Sequence, residues 1–141
     1  MTYKSSIFLV FTLGLLAGCT SPPTPAMEWS CRNITAEISC QEGICNVALD
    51  GDFTPMELTL DADGGLSLCA YSGCWSGKAE KVSTAGNYFS VIGLGLPWSG
   101  TDGAPADISA TLNMKTMVAT VLTDDYAHPM TCKVTYKNSK Q

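Results

Sequence analysis

Apolar and polar residues alternate through much of this chain. The pattern is clearest in Met56-Glu57-Leu58-Thr59-Leu60 and in Ile108-Ser109-Ala110-Thr111-Leu112. A period of two puts successive side chains on opposite faces of a pleated strand, so each of these runs predicts a strand with one face buried. Beyond residue 18 no segment keeps the 3.6-residue period of an amphipathic helix. Short runs rich in Val, Ile, Thr, Leu and aromatics recur instead, separated by Gly, Asp, Asn and Pro.

These runs pair naturally. Residues 34–38 and 46–49 predict a hairpin about Gln41-Glu42-Gly43, and 56–60 turns through residues 61–65 into 66–69. Residues 78–83 and 88–92 flank Ala85-Gly86-Asn87, 108–112 is answered by 117–122, and Met130 to Tyr136 forms the last strand. Residues 93–106 read as one longer loop. The prediction is an all-β domain of about eight antiparallel strands in a small barrel or flattened sandwich, an architecture that removes exposed edges.

The N-terminus breaks this pattern. Lys4 lies in a short polar start, and Ile7 to Ala17 (IFLVFTLGLLA) is apolar apart from Thr12 and Gly14. The run is about half the ~20 residues that a spanning helix needs and matches the apolar region of a signal peptide. It ends in Leu16-Ala17-Gly18-Cys19, which resembles the lipobox of bacterial lipoprotein precursors. The resemblance implies cleavage after Gly18, a diacylglycerol on the Cys19 sulfur and an acyl chain such as palmitate on its amino group. It makes the chain a lipoprotein held on a membrane, with each buried methylene adding about 0.8 kcal/mol. Thr20, rather than an acidic residue, follows Cys19. In a Gram-negative cell this implies the outer membrane, facing the periplasm.

Thr20 to Ala26 carries Pro22, Pro23 and Pro25, which favour an extended polyproline conformation. The expected organisation is a signal peptide at 1–18, a lipidated Cys19 and tether at 19–27, one β domain at 28–137, and a tail at 138–141. A domain of about 110 residues holds one core.

Composition narrows the function. The formal charge of the chain is −5 and becomes −6 once Lys4 leaves with the signal. The basic residues are scattered, so nucleic acid has no electrostatic footprint. An acidic surface suits solubility or a basic partner.

Of the seven cysteines, one is taken by lipid and six remain: Cys31, Cys40, Cys45, Cys69, Cys74 and Cys132. An even number in a small exported domain predicts disulfides. Two C-x4-C pairs also fall within zinc-ligand spacing, but exported thiols are normally oxidised. The preferred pairing is Cys31–Cys132, Cys40–Cys45 and Cys69–Cys74. A swap between the 40/45 and 69/74 regions is the main rival.

Candidate chemistry is sparse. Cys69 to Gly77 sets Tyr71 and Trp75 on either side of a disulfide-closed turn, and Gly93 to Gly100 holds Trp98 in a glycine-rich loop. These three aromatics form the candidate binding surface, because Tyr and Trp offer large amphipathic area at low entropic cost. The loop is no dinucleotide fingerprint, since Trp98 stands where Gly is required. His128, the only histidine, lies in a turn at 124–129, and neither Ser72-Gly73 nor Ser76-Gly77 has the nucleophile-elbow pattern. Asp61-Ala62-Asp63-Gly64 opens like a calcium loop but lacks the distal ligands. No catalytic residue, metal or cofactor is predicted.

In size, anchor, strand number and acidity the chain is similar to membrane-bound inhibitors of c-type lysozyme. It departs from them in Ser76-Gly77-Lys78-Ala79-Glu80, where Glu80 replaces an expected Tyr, and in Trp98-Ser99-Gly100, which lacks the usual nearby Lys. The expected function is a non-catalytic envelope module binding a basic protein or a glycan. The alternatives are a lysozyme inhibitor and a structural or assembly-accessory lipoprotein. An enzyme site would have to be built from Asp/Glu pairs that the sequence does not place, and a meeting of Asp61, Asp63 and His128 in one cleft would favour that reading.

Overall fold

A computed structural model describes residues 26–49 and 51–137. The expected signal peptide and lipobox, Cys19, most of the expected tether and the expected tail lie outside these residues. The described residues hold no helix. They form eleven strands: β1 (Ala26–Arg32), β2 (Ala36–Gln41), β3 (Ile44–Leu49), β4 (Glu57–Asp61), β5 (Gly65–Ala70), β6 (Gly73–Lys78), β7 (Lys81–Ala85), β8 (Tyr88–Leu96), β9 (Ala106–Asn113), β10 (Val118–Thr123) and β11 (Tyr126–Lys137).

All pairings are antiparallel, in the order β6-β5-β4-β1-β11-β10-β9-β8-β7, with the β2–β3 hairpin attached beside β11. The sheet curls into a half-barrel, drawn by its inward residues. Trp29 of β1 and Phe89 of β8 lie 4.8 Å apart between ring centroids, although β11, β10 and β9 separate their strands in the sheet. Leu58, Leu60, Leu68, Ile108, Leu112 and Val121 are fully buried on the same inner face. Each such side chain contributes about 1.5–3 kcal/mol by leaving water.

The ends of the sheet meet along a short seam. Trp75 of β6 forms a backbone bridge with Trp98, just after β8. Ser99 N–H donates to Cys74 O at 2.9 Å, and Ser76 N–H donates to Pro97 O at 3.3 Å. Between β6 and β7 the backbone changes partner. Ala79 N–H bonds Gly64 O, whereas Glu80 N–H bonds Ile92 O, both at 2.9 Å. A single bent stretch thus serves the β4–β5 turn on one side and β8 on the other.

All three disulfides have the preferred pairing, Cys31–Cys132, Cys40–Cys45 and Cys69–Cys74. Each joins residues directly opposed in an antiparallel register.

Several local expectations are corrected. β1 was not anticipated, and it begins at Ala26, inside the span assigned to the tether. The stretch from Cys69 to Gly77 is the β5–β6 hairpin rather than a mere closed turn, with only Tyr71 and Ser72 at its tip. The expected strand at 78–83 is divided, its first residue ending β6 and the rest starting at Lys81. Residues 93–96 continue β8 through a bulge, with Gly95 at φ 57°. Gly takes that backbone conformation at the least steric cost.

His128 and Pro129 also belong to a strand, β11, and not to a turn. On one flank β11 pairs with β2 at Tyr126 and Ala127 and with β1 from Thr131 onward. Pro129 falls in the gap between, where a residue with no N–H to donate is tolerated.

Candidate functional site

Strand direction sorts the loops by end. The C-termini of β1, β5, β8 and β10 lie at the same end as the N-termini of β4, β6, β9 and β11. This end is the mouth. Ala26 and the turn at 61–65 lie at the other end, where Ala62 N–H donates to Met27 O. A cleft of about 710 Å³ occupies the mouth. That volume is in the range of small-ligand sites.

The cleft brings together all three predicted aromatics, Tyr71, Trp75 and Trp98. Tyr71, at the tip of the β5–β6 hairpin, is 83% exposed. Trp75 and Trp98 are half-buried and lie 4.4 Å apart at an interplanar angle of 52°. Their positions are fixed from several sides. The Trp75 indole donates through Nε1 to Ala104 O at 2.9 Å, and Cys74 N–H donates to Ser99 Oγ at 2.9 Å.

Glycines hold Trp98 in place, and sequence reasoning did not assign them this role. A Cβ on Gly73 would lie 2.7 Å from Trp98 Cζ2, and one on Gly100 or Gly103 would collide with the indole. The signal available in the sequence was the clustering of Gly100 and Gly103 just after Trp98.

Two more glycine-region contacts set the approach of Trp98. Leu94 N–H donates to Glu80 Oε2 and Gly95 N–H to Asp107 Oδ1, each at 2.7 Å. These carboxylates satisfy donors that the β8 bulge removes from the ladder. Glu80, which marks a departure from the lysozyme-inhibitor pattern, therefore has a structural task here.

The same cleft is also acidic. Asp102 comes from the β8–β9 loop, Asp124 and Asp125 from the β10–β11 turn, and Glu37 from β2. No lysine or arginine among the described residues lines it. A second cleft of about 680 Å³ shares Gln41, Asp125 and Tyr126 and carries the acidic surface onto the β2–β3 hairpin with Glu42.

His128 also lines the mouth cleft, although it is only 1% exposed. Its Nδ1 lies 3.4 Å from Asn33 Nδ2 and 3.5 Å from Glu37 Oε2. It accepts from the amide or donates to the carboxylate according to its tautomer. Burial lowers the His128 pKa and raises that of Glu37, so each is shifted toward its neutral form. His128 Nε2 has no partner among the described residues.

Asp61 and Asp63 do not join His128. They lie at the β4–β5 turn at the far end, where Asp63 pairs with Lys78 at 2.6 Å. Among the described residues no group of three or more His, Cys, Asp or Glu side chains is arranged to hold a metal ion. Compared with known proteins, the chain matches no family, no curated sequence and no solved structure.

Proposed function

We propose that this protein is a lipid-anchored envelope binding module, with Cys19 as the anchor and the mouth cleft as the site for a protein or glycan partner. The observation that carries this reading is the meeting of Tyr71, Trp75 and Trp98 in one cleft. Exposed aromatic area on a rigid scaffold favours recognition, since little entropy is lost on binding. Residues 97–99 are pinned to β6, and the hairpin carrying Tyr71 is closed by Cys69–Cys74, so the surface is preorganised.

The anchor and the cleft fit together. β1 runs from Ala26 toward the mouth, so a tether on Ala26 attaches at the opposite end. The six residues between Cys19 and Ala26, read from the sequence as a proline-rich tether, would supply roughly 19 Å of stand-off at ~3.1 Å per residue. The seven residues of β1 add about 20 Å more at ~3.3 Å per residue. The cleft would then face away from the lipid, open to a partner in the periplasm. The function is binding rather than catalysis, and the membrane is the outer membrane.

Site-specific photo-crosslinking in intact membranes tests this reading. A photoreactive residue at Tyr71 is expected to capture a partner, and one at Tyr136, exposed at the opposite end, is not. Capture from neither position, or equally from both, overturns the assignment of the cleft. A Cys19→Ser chain is expected to lose palmitate labelling and membrane retention. Retained labelling would refute the anchor.

A further inference from the structure

The geometry points to an organic cation, with the guanidinium of arginine as the best fit, as the chemical group that the mouth cleft takes. This rests on the reading of the cleft as a binding site and specifies what fills it. Three observations converge. The first is charge: Asp102, Asp124 and Asp125 are exposed carboxylates brought from two different loops onto one cleft, with no lysine or arginine among the described residues lining it. Like charges gathered without a counter-ion repel one another, and an incoming cation relieves that repulsion.

The second is the aromatic wall. Trp75 and Trp98 lie on the same cleft as these carboxylates, with Tyr71 and Tyr126 exposed beside them. A cation near an aromatic face is attracted by the ring quadrupole, most strongly over Trp. Guanidinium is planar and weakly hydrated, so it stacks on a ring while its edge donates to carboxylates; a lysine ammonium is more strongly hydrated.

The third observation is independent of charge. His128 is one of the residues lining the cleft, and its Nε2 is buried with no partner among the described residues. Buried polar atoms are nearly always paired, so an unpaired one calls for a partner from outside. In the tautomer with its proton on Nδ1, facing Glu37, Nε2 is an acceptor for a ligand N–H.

The test titrates the full-length chain in detergent with tri-arginine and with tri-citrulline, which keeps the shape and lacks the charge, following tryptophan fluorescence. Exposed charge pairs each change affinity roughly 1.5- to 5-fold. Tri-arginine should therefore bind about tenfold or more tightly than tri-citrulline, and D102N/D124N/D125N should erase the difference. In the unsubstituted protein the preference should also shrink as salt rises from 20 to 300 mM, because exposed charges are screened. Arginine amide separates the sources. Saturable binding of the amide supports a free small cation, and binding of tri-arginine alone supports a cation carried on a polypeptide. Equal affinity for tri-arginine and tri-citrulline overturns the inference. If Tyr71 still captures a partner in membranes, the reading of the cleft survives that result; if it captures none, both fail.

Discussion

Trp75 and Trp98 are 23 residues apart in sequence, yet their backbones are bridged and their rings lie 4.4 Å apart. The same pair closes the curled sheet and forms one wall of the mouth cleft, so fold and site share a seam. A substitution that moves Trp98 is expected to disturb both.

Gly103→Ala is the smallest such change, because its Cβ would collide with the Trp98 indole. Inserting a methyl group into packed surroundings costs about 1–3 kcal/mol. Urea unfolding should show that loss, and near-UV circular dichroism should show an altered Trp75–Trp98 signal. Gly86→Ala is a control for the loss of a turn glycine, since its Cβ would meet nothing within 4 Å. Its φ of 57° is unfavourable for Ala, so the substitution should destabilise without changing the tryptophan signal. An unchanged signal in the Gly103→Ala protein would show that the glycine does not position the ring.

The disulfides are expected to contribute unequally. Cys31–Cys132 spans a sequence separation of 101, whereas the other two span 5 each. In the chain-entropy model the long bridge contributes up to about 4.7 kcal/mol and a short one about 2. Replacing Cys31 and Cys132 by Ala should therefore lower Tm by more than replacing Cys40 and Cys45, as measured by thermal unfolding. Equal losses would mean that the long bridge acts through something other than loop closure.

Most strands were legible because one face of each is buried. Leu58 and Leu60, or Ile108 and Leu112, betray the inner face by period two. The disulfide pairing was legible for a related reason, since closely spaced cysteines fall opposite each other across tight hairpins. β1 was missed because Met27, Trp29 and Cys31 alternate with Glu28, Ser30 and Arg32 directly after a proline-rich stretch, with no turn signal to mark where the strand begins. β6 was missed because Gly73 and Gly77 look like turn residues; their small size admits Trp98 and Leu96 instead. The aromatic part of the cleft was visible as three unusual residues. Its acidic part was not, since the β8–β9 loop with Asp102 and the β10–β11 turn with Asp124 are brought to one cleft by the pairing of β9 with β10.

Glu80 and Asp107 are expected to act together on the β8 bulge. Each accepts one backbone donor at 2.7 Å, from Leu94 and Gly95. Exposed donors regain water when a partner is lost, so Glu80→Ala or Asp107→Ala should each cost only about 0.5–1.5 kcal/mol. Because the two anchor adjacent residues of one bulge, the double variant should depart from additivity by at least about 0.5 kcal/mol. Strict additivity in urea unfolding would show that the bulge keeps its shape without them.

His128 makes stability depend on pH. Burial lowers its folded pKa below the ordinary 6.5, so between the two values the unfolded chain binds a proton that the folded chain does not. Its stabilising contribution is fully present above about 6.5 and is lost as pH falls through that value toward the folded pKa. Glu37 works in the opposite sense. Its pKa is raised from 4.5, so the cost of its burial is incurred at neutral pH and relieved as pH falls through the raised value toward 4.5. Tm should therefore drop between pH 7 and 6, with the fall partly offset at lower pH. Glu37→Gln should remove the offset and leave the first drop in place, whereas His128→Gln should flatten the first drop. The pH slope, not the absolute Tm, is the readout, because replacing a buried side chain shifts Tm at every pH. A His128→Gln protein that keeps the full drop would assign it to another group.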